Sequence, residues 1–435
     1  MSRYESNPGL AARTVPRWLI GPQAVHYFAL VASFVLILFI GRTQWFFGDD
    51  WAILAPRLDT DFMLPHVGHW NLIPAVLFPL LRNSIGLDSY LPFLALAVIA
   101  HLAVVHVVWR ILSRIGVLPW LATLLSIFLM LLGAASENLL WAFQFGFMGA
   151  IALGLGAILL LDRKQLTITA RVSIIVLSVL APMFSGTAIP VLVAAGLVGW
   201  FRHGFRRTAF LLLPAAVIYL SWYWDFGRLS AVPASGIHSV ADVDSALQFF
   251  FAMFGVGFGH ALPLIVLGVI PCLAVVSWFF VSVRIGVRSP QLIAYALAIG
   301  SVVFAALTTY SRMNLGISTA GSSRYAYVLI TLLVPAFGVI LNSASIKGRV
   351  QRALVYALVL CLIGFNAMFL RDDAHRQADR EATSRARIEG ALTQIKNGQF
   401  DPAELSKPID DQWSPDLLGS DLTWLYEHGQ ITPAK

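Results

Sequence analysis

Two adjacent carboxylates and two nearby histidines stand out in the stretch Phe46–Pro79, which follows the first long apolar run. Asp49 and Asp50 lie in the sequence Phe-Gly-Asp-Asp-Trp, and His66 and His69 follow. A carboxylate in a low-dielectric environment can act as a general base towards a hydroxyl group. Charged groups are costly at a membrane and are usually functional there. We predict that Asp49 and Asp50 are catalytic, although either could instead cap the following helix.

The same residues allow metal binding. Neighbouring carboxylates repel each other, so the pair Asp49 and Asp50 is a candidate site for a divalent cation. His66 and His69 are three residues apart and could ligate a metal or hydrogen-bond a phosphate or sugar hydroxyl. No third ligand is close in sequence. The metal site therefore stays unassigned, no cofactor is certain, and the histidines are predicted to bind substrate.

Further candidates precede later apolar runs. Glu137, Trp141 and Gln144 recur at helical spacing, so they can face one cavity, although an acid at a helix start is also favourable to the helix dipole. Arg312 and Arg324 suit a phosphate or pyrophosphate group, with ordinary lipid phosphates as the alternative partner. These residues and Tyr325, which follows Arg324, are predicted to bind substrate. Ser322 and Ser323 could cap the next helix and add hydrogen-bond donors.

The composition predicts an integral membrane protein. Of 435 residues, 58% are hydrophobic and 12% are charged, whereas soluble proteins carry about 25% charged residues. Cys272 and Cys361 lie in apolar runs and form no metal-binding pattern. Motifs for nucleotide binding are absent from the sequence. The basic excess is explained by membrane topology, so nucleic acid is not an expected partner.

Hydrophobic runs predict an all-α polytopic bundle of about 11 transmembrane helices. A first outer loop, residues 42–88, contains the apolar stretch Trp70–Ile85, which is short, broken by prolines and predicted to be an interfacial helix. The spans are expected at Val25–Gly41, Tyr90–Leu112, Leu118–Gly133, Leu140–Leu161, Val172–Phe184, Thr187–Phe201, Thr208–Trp222, Phe254–Val283, Gln291–Thr309, Tyr325–Leu341 and Ala353–Leu370.

The distribution of charge predicts the orientation. In this topology 16 of the 22 basic residues of the membrane domain, residues 1–370, lie inside, while most of its acids lie outside. We therefore expect a multi-pass plasma-membrane protein with a cytoplasmic N-terminus and an external C-terminus. Residues 371–435 are predicted to be a short external tail that packs on the membrane domain. The tail is expected to begin with a helix that ends near Asn397-Gly398.

This arrangement resembles the GT-C superfamily of membrane glycosyltransferases, which includes protein O-mannosyltransferases, aminoarabinose transferases and actinobacterial envelope glycosyltransferases. The resemblance rests on Gly48-Asp49-Asp50-Trp51 after the first span, on the apolar stretch after His69, on Arg110 and Arg114, and on Ser323-Arg324-Tyr325. The usual acidic pair is Asp-Glu, whereas this chain has Asp-Asp.

The resemblance implies transfer of a sugar from a polyprenyl-phosphate donor to a hydroxyl of an envelope glycan, lipid or protein, with inversion. Asp49 would be the base, and Asp50 would orient it, bind a cation or contact the acceptor. Arg324, with Arg312, would neutralise the leaving phosphate. Asp59 and Asp61 are alternative bases. A non-catalytic lipid or polysaccharide transporter is the alternative function, and it predicts ionisable groups near mid-membrane and two related halves. His101, His106 and His260 lie within predicted spans and favour the transporter, but the acids lie at one face and no repeat is visible.

Overall fold

The fold is an assembly of apolar helices, and its computed structural model describes residues 21–229, 239–262, 268–285 and 289–433. In chain order the helices of the membrane part are α1 (Pro22–Ile40), α2 (Trp51–Leu54), α3 (Leu72–Ile85), α4 (Leu91–Arg114), α5 (Pro119–Met130), α6 (Ser136–Leu140), α7 (Phe145–Leu161), α8 (Ile168–Phe184), α9 (Ala188–His203), α10 (Phe205–Asp225), α11 (Val240–His260), α12 (Val269–Ile285), α13 (Leu292–Arg312) and α14 (Ser323–Ser345). A very long helix, α15 (Arg349–Lys396), leads into a tail with strands β1 (Pro408–Asp410) and β2 (Ser414–Leu418) and helix α16 (Gly419–Glu427).

These helices confirm the prediction of an all-α polytopic membrane protein. Seven of the described helices are long and apolar enough to cross a bilayer, or eight if the bent pair Pro119–Met130 and Gly133–Leu140 forms one span. Four further apolar helices are shorter than a usual crossing: α3, α8, α9 and the apolar part of α12. The predicted count of 11 spans is therefore not confirmed.

Helices α4 and α7 run parallel, and their contacts define the two ends of the bundle. At one end, which we call the site end, the Tyr90 hydroxyl before α4 accepts a hydrogen bond of 2.7 Å from the Ala142 amide before α7. At the other, the far end, Arg114 at the end of α4 lies 2.7 Å from Asp162, which follows α7. Helices α8 and α9 pack against α7, and α8 returns the chain from the far end to the site end.

Helix α3 has the properties predicted for an interfacial helix. Its 14 residues span about 21 Å, which is less than the roughly 30 Å of a bilayer core. Asn71 lies beside Gly146 at the start of α7, and Gly86 lies against Gln430 of the tail, so both ends of α3 are at the site end. Phe78 and Arg82 face the protein, whereas other apolar side chains of the helix are exposed.

One predicted span is wrong. The stretch Phe254–Val283 does not form one helix, because α11 ends at His260 and α12 begins at Val269. The next residues after α11 include Pro263, which has no amide hydrogen to continue a helix. Helix α11 also begins well before the predicted span, at a capping box in which Ser239 and Asp242 each accept the amide hydrogen of the other.

Helix α15 connects the membrane part to the tail without a break. It contains 48 residues, about 72 Å, and continues through Leu370, where the sequence predicted the domain boundary. Asn397 is its C-cap, as predicted, and Gly398 follows with a φ of 65°, a left-handed conformation that glycine adopts without strain. Strands β1 and β2 pair antiparallel, a hairpin that the sequence analysis did not predict.

The tail packs onto the first loop at the site end. The Gly48 amide donates to the Trp413 carbonyl, and the Leu87 amide donates to the Gln430 carbonyl at 2.6 Å. Arg57 forms an ion pair with Asp421, whose carboxylate is buried. These contacts join both ends of the loop that contains Asp49 and Asp50 to residues far along the chain.

We expect Asp421→Asn to destabilise the protein. The buried Asp421 carboxylate accepts hydrogen bonds from the amides of Arg57 and Leu418 as well as from the Arg57 guanidinium, and an amide side chain cannot accept all of them. Because the Arg57 side chain is one-third exposed, the expected loss in the free energy of unfolding is only about 1–3 kcal/mol. Thermal unfolding of the detergent-solubilised protein measures it. Asp411→Asn, at an exposed tail position, is the control, and equal unfolding midpoints for the two variants would contradict the expectation.

Candidate active site

Asp50 is a fully buried carboxylate that joins two segments of backbone. Its oxygens accept hydrogen bonds from the amides of Phe47 at 3.2 Å and Phe143 at 3.0 Å, and the Tyr90 hydroxyl lies 3.4 Å away. Burial raises the pKa of Asp50 to about 8, and the charge of Asp49 acts in the same direction, while the hydrogen bonds oppose the shift. The side chain therefore holds the first loop against the segment before α7.

The prediction that Glu137, Trp141 and Gln144 recur along one helix is wrong. Helix α6 ends at Leu140, Trp141 has an extended backbone, and a separate 3₁₀ turn covers Ala142–Gln144. The amide hydrogens that would continue α6 are bound by side chains instead, since Ala142 donates to Tyr90 and Phe143 donates to Asp50. The three side chains consequently point in directions set by this break.

Asp49 has the opposite environment to its neighbour. Its side chain is 31% exposed, and one of its oxygens lies 3.3 Å from Nε2 of His66. His66 lies in a tight hairpin, where it exchanges backbone hydrogen bonds of 3.0 and 2.9 Å with His69. Val67, at the tip, has a φ of 49°, and its carbonyl accepts a 2.8 Å hydrogen bond from Arg312. Arg312 on α13 thus fixes the hairpin that presents His66 to Asp49.

The pKa of His69 reflects the charges that surround it in the site. Its pKa is lowered to about 3, first by burial among protein atoms and then by the positive charges of Arg312, His66 and Arg324, while Asp49 acts in the opposite direction. His69 is therefore neutral at physiological pH and can both donate and accept a hydrogen bond. All four of these side chains act electrostatically on the imidazole ring of His69. The structure therefore brings them together with His69 in a single cluster.

Glu137 connects this cluster to the start of α14. Its carboxylate accepts a 3.3 Å hydrogen bond from the Arg324 amide, and its own amide donates to the Ser323 hydroxyl at 3.2 Å. A carboxylate is favourable at the positive end of a helix, so Glu137 caps α14 from another part of the chain. Ser322 occupies the N-cap position, although its side chain makes no capping hydrogen bond.

The two arginines remain available to an anion. Arg312 is 9% exposed and Arg324 is half-buried, yet neither forms an ion pair with a carboxylate of the described residues. The Arg324 guanidinium is held 5.6 Å from the ring of Tyr325 and is close enough to Asp49 and Glu137 to interact electrostatically with both. Burying positive charge without a paired carboxylate is costly unless an anion occupies the site.

Two predicted substrate-binding residues are buried. Tyr325 packs edge-on against Phe304, with ring centroids 6.3 Å apart. Gln144 is fully buried, and its oxygen accepts a 3.3 Å hydrogen bond from Asn138. The Nε2 of Gln144 has no hydrogen-bond partner in the described part of the chain. Of the predicted site residues, Asp49, His66, His69, Arg312 and Arg324 therefore form one cluster, supported by Glu137.

The acidic pair does not fit a divalent cation. Both oxygens of Asp50 accept backbone hydrogen bonds, so only Asp49 could contribute a ligand from the pair. Across residues 21–433, apart from the gaps, no group of three or more His, Cys, Asp or Glu side chains has the arrangement of a metal site. Asp59, an alternative base, is held by Arg82 at 2.6 and 3.1 Å, and Asp61 is exposed in the same loop.

Sequence reasoning missed two residues that support the site. Tyr90 links Asp50 to the helix break, and Glu381 on α15 accepts a 2.7 Å hydrogen bond from the Trp45 amide. Tyr90 is the first residue of a predicted span and looks like an ordinary interfacial aromatic residue. Glu381 is one of many charged residues in its segment, and only the buried spacing of Gln377, Glu381 and Ser384 along the helix distinguishes it.

The raised pKa of Asp50 predicts a pH-dependent stability. The folded state holds this proton up to about pH 8, whereas the unfolded chain releases it near the ordinary aspartate pKa of 3.8. Stability from this group is therefore complete below about pH 4, decreases as the pH rises, and is lost by the time the pH passes 8. Asp49 and Glu381 are the other acids that act on Asp50.

Asp50→Asn removes that titration. We expect the unfolding midpoint of the wild type to fall more steeply between pH 5 and pH 8 than that of the variant. Thermal unfolding in detergent over this range measures both slopes, with Asp61→Asn as the exposed control. Parallel pH profiles for the wild type and Asp50→Asn would show that Asp50 titrates normally.

No protein-family model and no curated protein sequence matches the chain. Among solved structures, the fold matches that of ArnT from Cupriavidus metallidurans, whose crystal structure was determined bound to undecaprenyl phosphate. The TM-score is 0.54 at 14% sequence identity, and the match covers 93% of this chain and 88% of ArnT. The likeness therefore extends over the membrane bundle and the tail, and this chain shares the fold of ArnT, an expectation that the sequence resemblance had raised.

Proposed function

We propose that this protein is a glycosyltransferase that moves a sugar from a polyprenyl-phosphate carrier to a hydroxyl group of an acceptor. The observation that carries the proposal is the position of Arg312 and Arg324, two buried or half-buried guanidiniums without carboxylate partners among the described residues, beside Asp49. A leaving phosphate needs positive charge, and an attacking hydroxyl needs a base. The cluster supplies both within one site.

The bundle also has a place for an isoprenoid chain. An entirely apolar cavity of about 320 Å³ lies between α5, α11, α12, α14 and α15. Helix α14 carries Arg324 in its first turn and Ile330 in the cavity wall, six residues or about 9 Å further along the helix. A carrier lipid with its phosphate at Arg324 could therefore place part of its chain among these side chains. That the neighbouring fold was solved with undecaprenyl phosphate supports the same class of lipid.

In the proposed reaction Asp49 accepts the proton of the acceptor hydroxyl as its oxygen bonds to the anomeric carbon of the sugar. The bond from that carbon to the phosphate oxygen breaks, and the phosphate leaves with the electron pair. Arg312 and Arg324 stabilise the developing negative charge. A single displacement without a protein nucleophile inverts the anomeric configuration. Asp50 positions the loop that carries Asp49, and we assign it no contact with substrate.

The proposed location is the outer face of the plasma membrane. Basic residues concentrate at the far end of the bundle, whereas Asp49, Glu137 and the tail lie at the site end. The positive-inside rule places the far end in the cytoplasm, with an internal N-terminus and an external C-terminus. The acceptor would then be an envelope glycan, lipid or protein.

Transfer of radiolabelled sugar from polyprenyl-phosphate sugars in membrane vesicles tests this function. We expect Asp49→Asn to reduce kcat by about 10²- to 10⁴-fold, the usual contribution of a general base, with little change in KM. Arg324→Gln should lower kcat and also weaken donor binding, because the guanidinium acts on both bound and leaving phosphate.

Asp61→Asn, in the same loop but outside the cluster, is the matched control and should retain wild-type transfer. Unfolding midpoints establish that each variant is folded. Full activity of folded Asp49→Asn and Arg324→Gln would exclude the proposed site. Movement of the lipid across the vesicle membrane without sugar transfer would instead favour the transporter.

A further inference from the structure

A second charged pocket lies at the far end of the bundle, away from the active site. It has a volume of about 630 Å³ and is formed where α7 connects to α8 and where α9 connects to α10. Its polar walls include Lys164, Arg171, His203, Arg206 and Arg207. Because α7 is 17 residues long, about 25 Å of helix separates this pocket from the site end.

The positive charge of this far-end pocket is not neutralised by the nearby acid. Asp162 lies at the same junction, but Arg114 and Arg202 each approach its carboxylate to 2.7 Å. Lys164 and Arg207 form no ion pair with a carboxylate of the described chain. Four cationic side chains therefore surround one cavity with no acid in its walls.

Two helix starts add to this charge. Helix α10 begins after Gly204 with no side-chain cap and no acid in its first turn, where Arg206 and Arg207 are located. Helix α8 also begins at the pocket, with Arg171 near its start and no acid in its first turn. The amino end of a helix carries partial positive charge and disfavours cations. At α8 the Thr167 hydroxyl already accepts the Ala170 amide hydrogen. An anion between the two helix starts would relieve this repulsion and bind amide groups at the uncapped start of α10.

Exposed aromatic side chains place the pocket at the level of a membrane surface. Trp200 and Phe201 are 55% and 71% exposed at the end of α9, and Phe205 is 67% exposed at the start of α10. Phe210, which lines the pocket itself, is 72% exposed. Such side chains are typical of the boundary between lipid tails and head groups. A phosphate that reaches the pocket from this side is attached to lipid.

We propose that the far-end pocket binds the phosphate of an acidic phospholipid, with Arg206 and Arg207 as its principal ligands and Arg171 and Lys164 completing the site. Basic pockets between transmembrane helices are suited to anionic head groups. Phe210 lies beside the glycerol and the first carbons of the acyl chains. This site is independent of the sugar-transfer reaction and requires none of the residues at the site end.

Native mass spectrometry of the full chain in detergent, titrated with phosphatidylglycerol, tests the proposal. Arg206→Gln combined with Arg207→Gln should weaken binding roughly thirtyfold, since each basic residue near an anionic head group contributes about 1 kcal/mol and 1.4 kcal/mol is a factor of ten. Arg171→Gln, on another helix, should weaken binding by roughly fivefold. Phosphatidylcholine, which has no net charge, should bind the wild type more weakly.

Lys347→Gln combined with Arg349→Gln is the matched control. Both residues are exposed at the far end, where Asn342 binds the Leu118 amide, but they lie outside the pocket. This control should bind phosphatidylglycerol like the wild type, and equal losses in both double variants would show only a general effect of surface charge. Saturation by glycerol 3-phosphate at millimolar concentration, with loss of the lipid, would assign the pocket to a soluble phosphate instead. Unchanged binding in folded Arg171→Gln and in the pocket double variant would overturn the site.

Discussion

The hydrogen bonds that the Asp50 carboxylate accepts from the amides of Phe47 and Phe143 are the constraint on which the proposed active site depends. A helix interrupted inside a membrane protein leaves amide groups without their usual carbonyl partners, and burying such groups unpaired is costly. Asp50 and Tyr90 bind the amides released at Trp141, so the break between α6 and α7 is stable. The same carboxylate fixes the loop before it and thereby the position of Asp49.

Neighbouring acids therefore have different roles because their surroundings differ. Asp50 is fully buried and accepts hydrogen bonds on both oxygens, whereas Asp49 is partly exposed, lies beside His66 and interacts electrostatically with Arg324. The fold therefore gives consecutive residues a buried anchor, Asp50, and a partly exposed carboxylate, Asp49, which is the proposed base. Glu137 combines two roles in one side chain, because it caps α14 and also lies close to Arg324. Asp49 and Glu137 thus supply the negative charge of the cluster, while Asp50 and Glu137 accept the hydrogen bonds that position its backbone segments.

Much of the fold could be predicted because long apolar runs and charge distribution have direct physical meanings. The interfacial helix, the end of α15 at Asn397 and the cluster of Asp49, His66 and Arg324 follow from such patterns. The break at Trp141 could not be predicted, since it depends on Tyr90 and Asp50, which are distant in sequence. The burial of Glu381 and the hairpin of the tail likewise depend on tertiary contacts. Local sequence cannot show which of two adjacent aspartates is buried.

The contact between the tail and the first loop has a consequence for the biosynthesis of the protein. Arg57 and Asp421 are 364 residues apart. At translation rates of about 5–20 residues per second, Asp421 is therefore synthesised roughly 20–70 s after Arg57. During that interval the segment that carries Asp49 has already left the ribosome, whereas Trp413 and Gln430 have not been synthesised. The geometry of the proposed active site is therefore completed only as translation ends. Nascent chains that stop before the tail would insert their helices into the membrane yet lack the contacts that order the first loop.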